Sequence, residues 1–319
     1  MESRHRVHAA VVSTDGSVIA AARDAAMVTF WRSCAKPFQV LPFVRAGGLE
    51  RFGWGEEELA LACASHGGEP EHVAVAARML ATLDLEEGDL ACGSHEPLSR
   101  RGATLLRDAG TPPTRLHNNC SGKHSAMLAR ALHAGWPAAG YERGDHPVQR
   151  EILNEVAEWS GVRDDAIPVG VDGCGVSVFG LPLRAMAAAY ARFAGALASG
   201  EGPLGRVGRA MAARPFLVGG TERFDTVIAE ETDGAVIAKV GAEGVHCAAV
   251  PGRGLGVAVK VEDGALRAQH AALLAVLTQL DLIAMPLSAR LAEFARRPVK
   301  NTRGDVVGEL SSSMALSQA

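Results

Sequence analysis

Residues 235–261 read AVIAKVGAEGVHCAAVPGRGLGVAVKV. Three apolar runs, 235–240, 245–250 and 255–261, are separated by glycine-rich turns. These turns are too short for a helical crossover, so the runs should pair as an antiparallel meander. Near the other end, 7–12 (VHAAVV) and 17–22 (SVIAAA) flank Thr14-Asp15-Gly16 and read as a β-hairpin. Between them the pattern is helical, over about 37–46, 55–64, 70–83, 121–134, 147–160, 181–198 and 203–213. A further helix over about 266–281 follows the meander. Pro70 suits a first helical position. In the 147–160 helix, Val148, Ile152, Val156 and Trp159 recur at helical spacing, with Asp145 as the expected cap and Gly161 as the stop. The tail SSSMALSQA reads as a frayed end.

The strand-rich ends can join in one antiparallel sheet against which the helices pack. That predicts an α/β fold without βαβ alternation. The expected organisation is a single domain over 1–319, with a helical central portion of about 37–230 and a sheet from about 7–22 and 235–261. Hydrophobic residues make up 48% and charged residues 21%, an ordinary globular balance that allows a substantial core. The net charge of −4 argues against nucleic acid as the main partner, because phosphate binding needs a basic surface. No run approaches the roughly 18 uninterrupted apolar residues of a membrane span. The N-terminal MESRHRVHAAVVSTDG has no signal-peptide pattern, so the expected location is the cytoplasm. Six cysteines, at 34, 63, 92, 120, 174 and 247, lack the dense spacing of a disulfide scaffold.

WRSCAKPFQV (31–40) places Ser33 and Lys36 three residues apart. On a helix that spacing returns to nearly the same face. A neutral lysine can take a serine proton, but lysine is neutral near pH 7 only when burial or a second cation disfavours its charge. Otherwise SCAK is a capping serine followed by a solvated lysine. Pro37 pins the helix start close to Ser33. Phe30, Trp31, Phe38 and Val40 argue for burial. Penicillin-binding proteins and serine β-lactamases combine SxxK with a later strand bearing Lys-Thr-Gly and a serine loop between. Here SCAK, Ser65 in ACASHGGEP and Lys239-Val240-Gly241 run in that order.

HNNCSGKHSAML (117–128) sets Cys120, Lys123 and His124 at an expected helix start, and VGVDGCGV (169–176) sets Asp172 and Cys174 in a glycine-lined turn. Two cysteines with a lysine or histidine nearby can bind zinc, although no CxxC spacing is present. A helix cap with two buried thiols, or a Cys120–Cys174 disulfide, fits the same residues.

RSCAKPFQ, ASHGGEP, HNNCSGKHSAML, GVDGCGV and AKVGAEGV together resemble the rhizobial-type L-asparaginase family, also called asparaginase II. The matching pieces run from residue 32 to 245, in the expected order. The resemblance implies a serine-β-lactamase-like fold, a homodimer, and hydrolysis of L-asparagine to L-aspartate and ammonia. It implies two Ser–Lys tandems, falling on Ser33 with Lys36 and on Ser65 with Lys239. It also implies zinc held by Cys120, Lys123 and Cys174. From chemistry alone His124 is the more natural ligand, because a lysine must lose its proton to bind metal. Asp172 falls at a substrate-contacting acid, expected to pair with the α-ammonium. Arg32 or His124 is expected to face the α-carboxylate. Ser125 departs from the pattern, where a smaller residue is expected. The competing readings are another Ser–Lys amide or β-lactam hydrolase, and a non-catalytic zinc-binding protein.

Overall fold

The computed structural model describes residues 1–318, and Ala319 lies outside them. The chain forms two compact units, each built from separated stretches of sequence. One takes Met1–Cys34, Leu181–Ala198 and the chain from Val227 onward, and the other takes Ala35–Gly180 and Ser199–Thr226.

The first unit holds the sheet anticipated from the two ends of the sequence. Val7–Ser13 pairs with Val18–Ala22 on one side and with Leu255–Val261 on the other. Val245–Val250 and then Ile237–Val240 complete the meander, every neighbour antiparallel. Asp15 shapes the hairpin turn, its carboxylate accepting from Ser17 N at 3.0 Å. All of Leu255–Val261 is buried, which is why that strand reads as a continuous apolar run rather than an alternating one. Val257, Val259 and Val261 are each 0% exposed and contribute roughly 1.5–3 kcal/mol apiece by burial. The helix Leu266–Gln279 packs on the last two meander strands.

The tail expected to fray is instead ordered against the sheet. Ser317–Gln318 pairs with the edge strand at Ala21 and Ala20. Gln279 holds the approach, donating to Met314 O at 2.9 Å and accepting from Leu316 N at 3.1 Å. The open backbone of an edge strand supplies the driving force. A solvent-exposed hairpin, Arg296–Lys300 with Val306–Ser311, precedes it and was not anticipated.

The second unit is mainly helical. Glu56–Ala62 lies at its centre, against Ser121–His133, Pro70–Ala81 and Gly202–Ala213. The helix expected over 37–46 is two short ones, Lys36–Gln39 and Leu41–Arg45, because Pro42 cannot donate into a continuous ladder. Pro70–Ala81 and Pro147–Ser160 start where their prolines predicted, and Gly161 ends the latter. Its cap is His146 rather than Asp145. Pro147 is the first helical residue, so the residue just before it takes the capping place, and His146 Nδ1 accepts from Val148 N at 3.2 Å. Val169–Val171 and Ser177–Pro182 form an antiparallel hairpin whose turn contains Asp172 and Cys174. Among the described residues no helix is long and apolar enough to cross a membrane.

Candidate active site

In the sheet-bearing unit, Ser33 sits half-buried in a 3-10 turn, Arg32–Ala35, that leads directly into the helix at Lys36. Arg32 has φ +52°, a left-handed conformation that strains a non-glycine residue by roughly 1–3 kcal/mol. Several contacts hold the turn there. Trp31 is fully buried edge-on against Tyr190, whose hydroxyl donates to Cys34 O at 2.8 Å. Cys34 Sγ donates to Lys239 O at 2.9 Å. This brings the serine turn to the strand that carries the second lysine. The glycine of Lys239-Val240-Gly241 has a steric reason: a Cβ there would sit 3.0 Å from Cys34 Sγ. Lys239 is 0% exposed, and its Nζ donates to Val240 O at 2.9 Å.

In the helical unit, Lys36 is buried and donates to Ser65 Oγ at 3.1 Å, to Asn119 O at 3.2 Å and to Ala64 O. Ala64 O, Ser65 Oγ and Asn119 O thus surround the Lys36 amine. Sequence spacing suggested Ser33 as its hydroxyl partner, and the hydroxyl it reaches within this unit is Ser65.

The loop after Ser65 is closed by hydrogen bonds throughout. Gly68 N donates to His66 Nδ1 at 3.1 Å, which leaves Nε2–H to donate to Ser121 Oγ at 2.9 Å. Glu69 N donates to His72 Nδ1 at 3.1 Å, and His72 Nε2–H reaches Phe216 O at 3.0 Å. Both imidazoles are therefore neutral with the same tautomer. Burial first, then the electrostatic cost of a second positive charge beside His72 and Lys36, holds His66 well below its usual pKa, and burial also lowers His72. Glu69 is 0% exposed and accepts from Arg101, Thr221 N and Thr221 Oγ1 at 2.6–2.7 Å. Sequence reading assigned no role to Glu69, Asn119 or Thr221. The first lies in the quoted ASHGGEP, but its partners come from distant segments.

The Asn118–His124 segment is built differently. Asn118 anchors it, accepting from Cys120 N at 2.9 Å and donating to Gly93 O at 2.6 Å. Lys123 Nζ lies 2.9 Å from Cys174 Sγ. A hydrogen bond from Cys120, together with the Lys123 charge, holds the Cys174 thiol down at about 4. Cys120 is correspondingly pushed up to about 12 by that hydrogen bond and by burial. Burial and the two neighbouring thiols push Cys92 up to about 12. All these cysteines are free thiols, so Cys120 and Cys174 form no disulfide. Among the described residues no group of three or more His, Cys, Asp or Glu is poised for a metal ion. The donor set is two sulfurs and the Lys123 amine, and Lys123 rather than His124 is the neighbour of Cys174. This soft set, with a proton held between sulfur and nitrogen, fits zinc, which would replace that proton.

His124 is 0% exposed, and burial, then the charge of Lys123, pulls it down to about 3. Tyr141 OH pairs with its Nδ1 at 2.6 Å while accepting from Ala91 N at 2.8 Å. Nε2 therefore carries the proton, and it has no hydrogen-bond partner. What His124 offers a ligand is a neutral N–H. Asp172 is half-buried in its turn, with its carboxylate accepting from Gly173 N at 2.8 Å and its charge acting on Lys123. Ser125 Oγ is used internally, donating to Ser121 O at 3.0 Å. A cavity of ≈ 480 Å³ is lined by Arg143, Asp145, Val169, Val171 and Ser177, and none of the Ser33, Ser65, Lys36 or Lys239 side chains lines it.

Compared with known families, residues 1–312 match the model described as L-asparaginase II. No curated protein matches the chain.

Proposed function

The chain belongs to the L-asparaginase II family, and is thus an amidohydrolase acting on asparagine; from that premise we propose a Ser–Lys mechanism that yields L-aspartate and ammonia. Ser33 Oγ attacks the side-chain amide carbon. Its proton passes to Lys36, and the Lys36–Ser65 hydrogen bond of 3.1 Å supports a relay through Ser65. Backbone N–H groups of the strained turn stabilise the tetrahedral oxyanion. As the C–N bond breaks, the proton goes to the leaving nitrogen and ammonia departs. Water then attacks the Ser33 ester, the aspartate carboxylate leaves, and Ser33 recovers a proton. The step requires Lys36 as the neutral amine, and Lys239, with Ser65, is the second Ser–Lys tandem of this reading.

Asp172 faces the substrate α-ammonium. Arg32 and the unpartnered Nε2–H of His124 serve the carboxylate side. Cys120, Lys123 and Cys174 would hold zinc, which when bound supplies a Lewis-acidic centre that orients the substrate. The sheet formed by the N-terminal hairpin and the C-terminal meander, with SCAK and Lys239-Val240-Gly241, supports a serine-β-lactamase-like fold. The family match across both units supports one catalytic module. A homodimer in the cytoplasm completes the reading.

The observation that carries the mechanism is the buried Lys36–Ser65 pair next to the Asn119 carbonyl. Ammonia release from asparagine and from glutamine, with and without added zinc, tests it. Ser33→Ala should lose at least about 10³-fold in kcat, given the losses seen when nucleophiles are removed. Near-wild-type release by that variant would remove Ser33 from the mechanism. Absence of zinc from protein purified without chelator would remove the metal.

A further inference from the structure

The segment LVGGTERFD (217–225) was not singled out by any motif, yet it is fixed against the Ser65 loop. Ser65 N donates to Val218 O at 3.1 Å. Glu69 takes both Thr221 N and Thr221 Oγ1 at 2.7 Å. Gly220 has φ +116°, and a Cβ there would lie 2.6 Å from Glu69 Oε1, so only glycine lets the two loops meet. Thr226 Oγ1 accepts from Gly220 N at 3.0 Å and donates to Pro215 O at 3.1 Å. Glu222 is left-handed at φ +57°, and Arg223 N donates to Gly220 O at 3.3 Å. The backbone at Arg223 is therefore held from both sides, at the expense of a strained non-glycine residue.

The side chain so positioned has no partner. Arg45, Arg78, Arg101 and Arg130 of the same unit each meet a carboxylate at 2.6–2.7 Å. Arg223 is half-buried and, among the described residues, forms no ion pair or side-chain hydrogen bond; Asp225 and Glu69 act on it only through space. Glu69 already has Arg101 and Thr221. Burial lowers the pKa of Arg223 by more than Asp225 and Glu69 raise it, so its charge is only partly compensated. Its positive charge also reaches His66, on the Ser65 loop, and His72, in the helix that follows it. A guanidinium presents a planar fork of donors that matches a carboxylate in two parallel hydrogen bonds.

We propose that Arg223 is the anchor for the α-carboxylate of the substrate amino acid. The proposal rests on the asparagine reading above. It adds Arg223 to Arg32 as positive charge on the carboxylate side, with His124 a neutral donor.

The test compares L-asparagine with its α-methyl ester, which keeps the side-chain amide and lacks the carboxylate charge. Arg223→Gln should lower kcat/KM for asparagine by roughly 100-fold, mainly through KM, as expected for removal of a charge-assisted pair. Its activity on the ester should stay within a few-fold of wild type. Arg223→Lys should fold with the charge retained and recover part of the preference. A wild-type preference carried unchanged into either folded variant, or equal losses on both substrates, overturns the proposal. If the wild type releases ammonia from neither compound, the asparaginase reading fails separately. The thermal shift with L-aspartate then decides: a rise in Tm seen in wild type, absent in Arg223→Gln and partly restored in Arg223→Lys supports the anchor, whereas equal shifts in wild type and Arg223→Gln, or none in wild type, refute it.

Discussion

The Ser65–Glu69 loop and the Asn118–His124 helix start lie in the same unit, and Lys36 donates to both, yet they treat buried polar groups in opposite ways. In the loop every imidazole nitrogen of His66 and His72 has a partner, and Glu69 is met by a guanidinium, an amide and a hydroxyl. At the helix start a thiol, a low-pKa thiol and a lysine crowd together, and His124 keeps an unanswered N–H. A closed network fixes geometry, and an open one leaves room for a ligand. Burial alone does not separate them, since His66 and His124 are both 0% exposed. The difference lies in the count of satisfied donors.

The sharpest way to break this comparison is at Glu69. Glu69→Ala leaves Arg101 with Glu71 alone and strands two donors on Thr221, and should destabilise the protein by about 1.5–3 kcal/mol in urea unfolding, the range for losing hydrogen bonds to a charged group. A loss below about 1 kcal/mol would show that the loop is not a closed scaffold. Next comes the paired exchange of His66→Phe and His124→Phe. The first removes two hydrogen bonds and should cost roughly 1–3 kcal/mol of stability; the second removes one and should cost less, while reducing kcat/KM for asparagine more. The reverse ranking would exchange the roles assigned to the two histidines.

Per pH unit, the smallest effect is on pH dependence. His66 and His72 have folded pKa values below the free value of 6.5, so the folded chain binds fewer protons than the unfolded chain as the pH falls. Their stabilisation is complete above pH 6.5 and declines below it, by at most about 1.4 kcal/mol per pH unit for each imidazole. Equilibrium unfolding between pH 7.5 and 5 should show this slope, and the double variant His66→Gln with His72→Gln should flatten it. An unchanged slope would move the proton uptake elsewhere.

How legible the molecule was follows from the range of the forces involved. Pro70, Pro147, Gly161 and the glycine turns of 235–261 act locally, so the elements they bound were readable to within a few residues. The pairing of Val7–Ser13 with Leu255–Val261 was readable in outline, because the apolar runs needed a common core. Arg296–Lys300 and Val306–Ser311 left no pattern, since a hairpin exposed on both faces has no alternation to reveal it. The site behaved likewise. Cys120, Lys123 and Cys174 were grouped by the family resemblance rather than by spacing, and their side chains do converge. The pairing of Lys36 with Ser65 was not readable from the three-residue spacing of SCAK. Glu69 and Arg223 were missed because one is satisfied, and the other left unsatisfied, by segments far away in the chain.

The central strand pairing also bears on how the chain is made. Val7–Ser13 is translated well before its partner Leu255–Val261, which emerges only after residues 14–254. Until then the strand has Val18–Ala22 on one side and an open edge on the other, with Val11 and Val12 destined for full burial. Such an edge invites pairing with other nascent chains. The helical unit has one nearly continuous stretch, Ala35–Gly180, available in the meantime. Synthesis therefore sets an order in which helices consolidate early and the sheet closes last, with soluble yield governed by how long the first strand must be shielded.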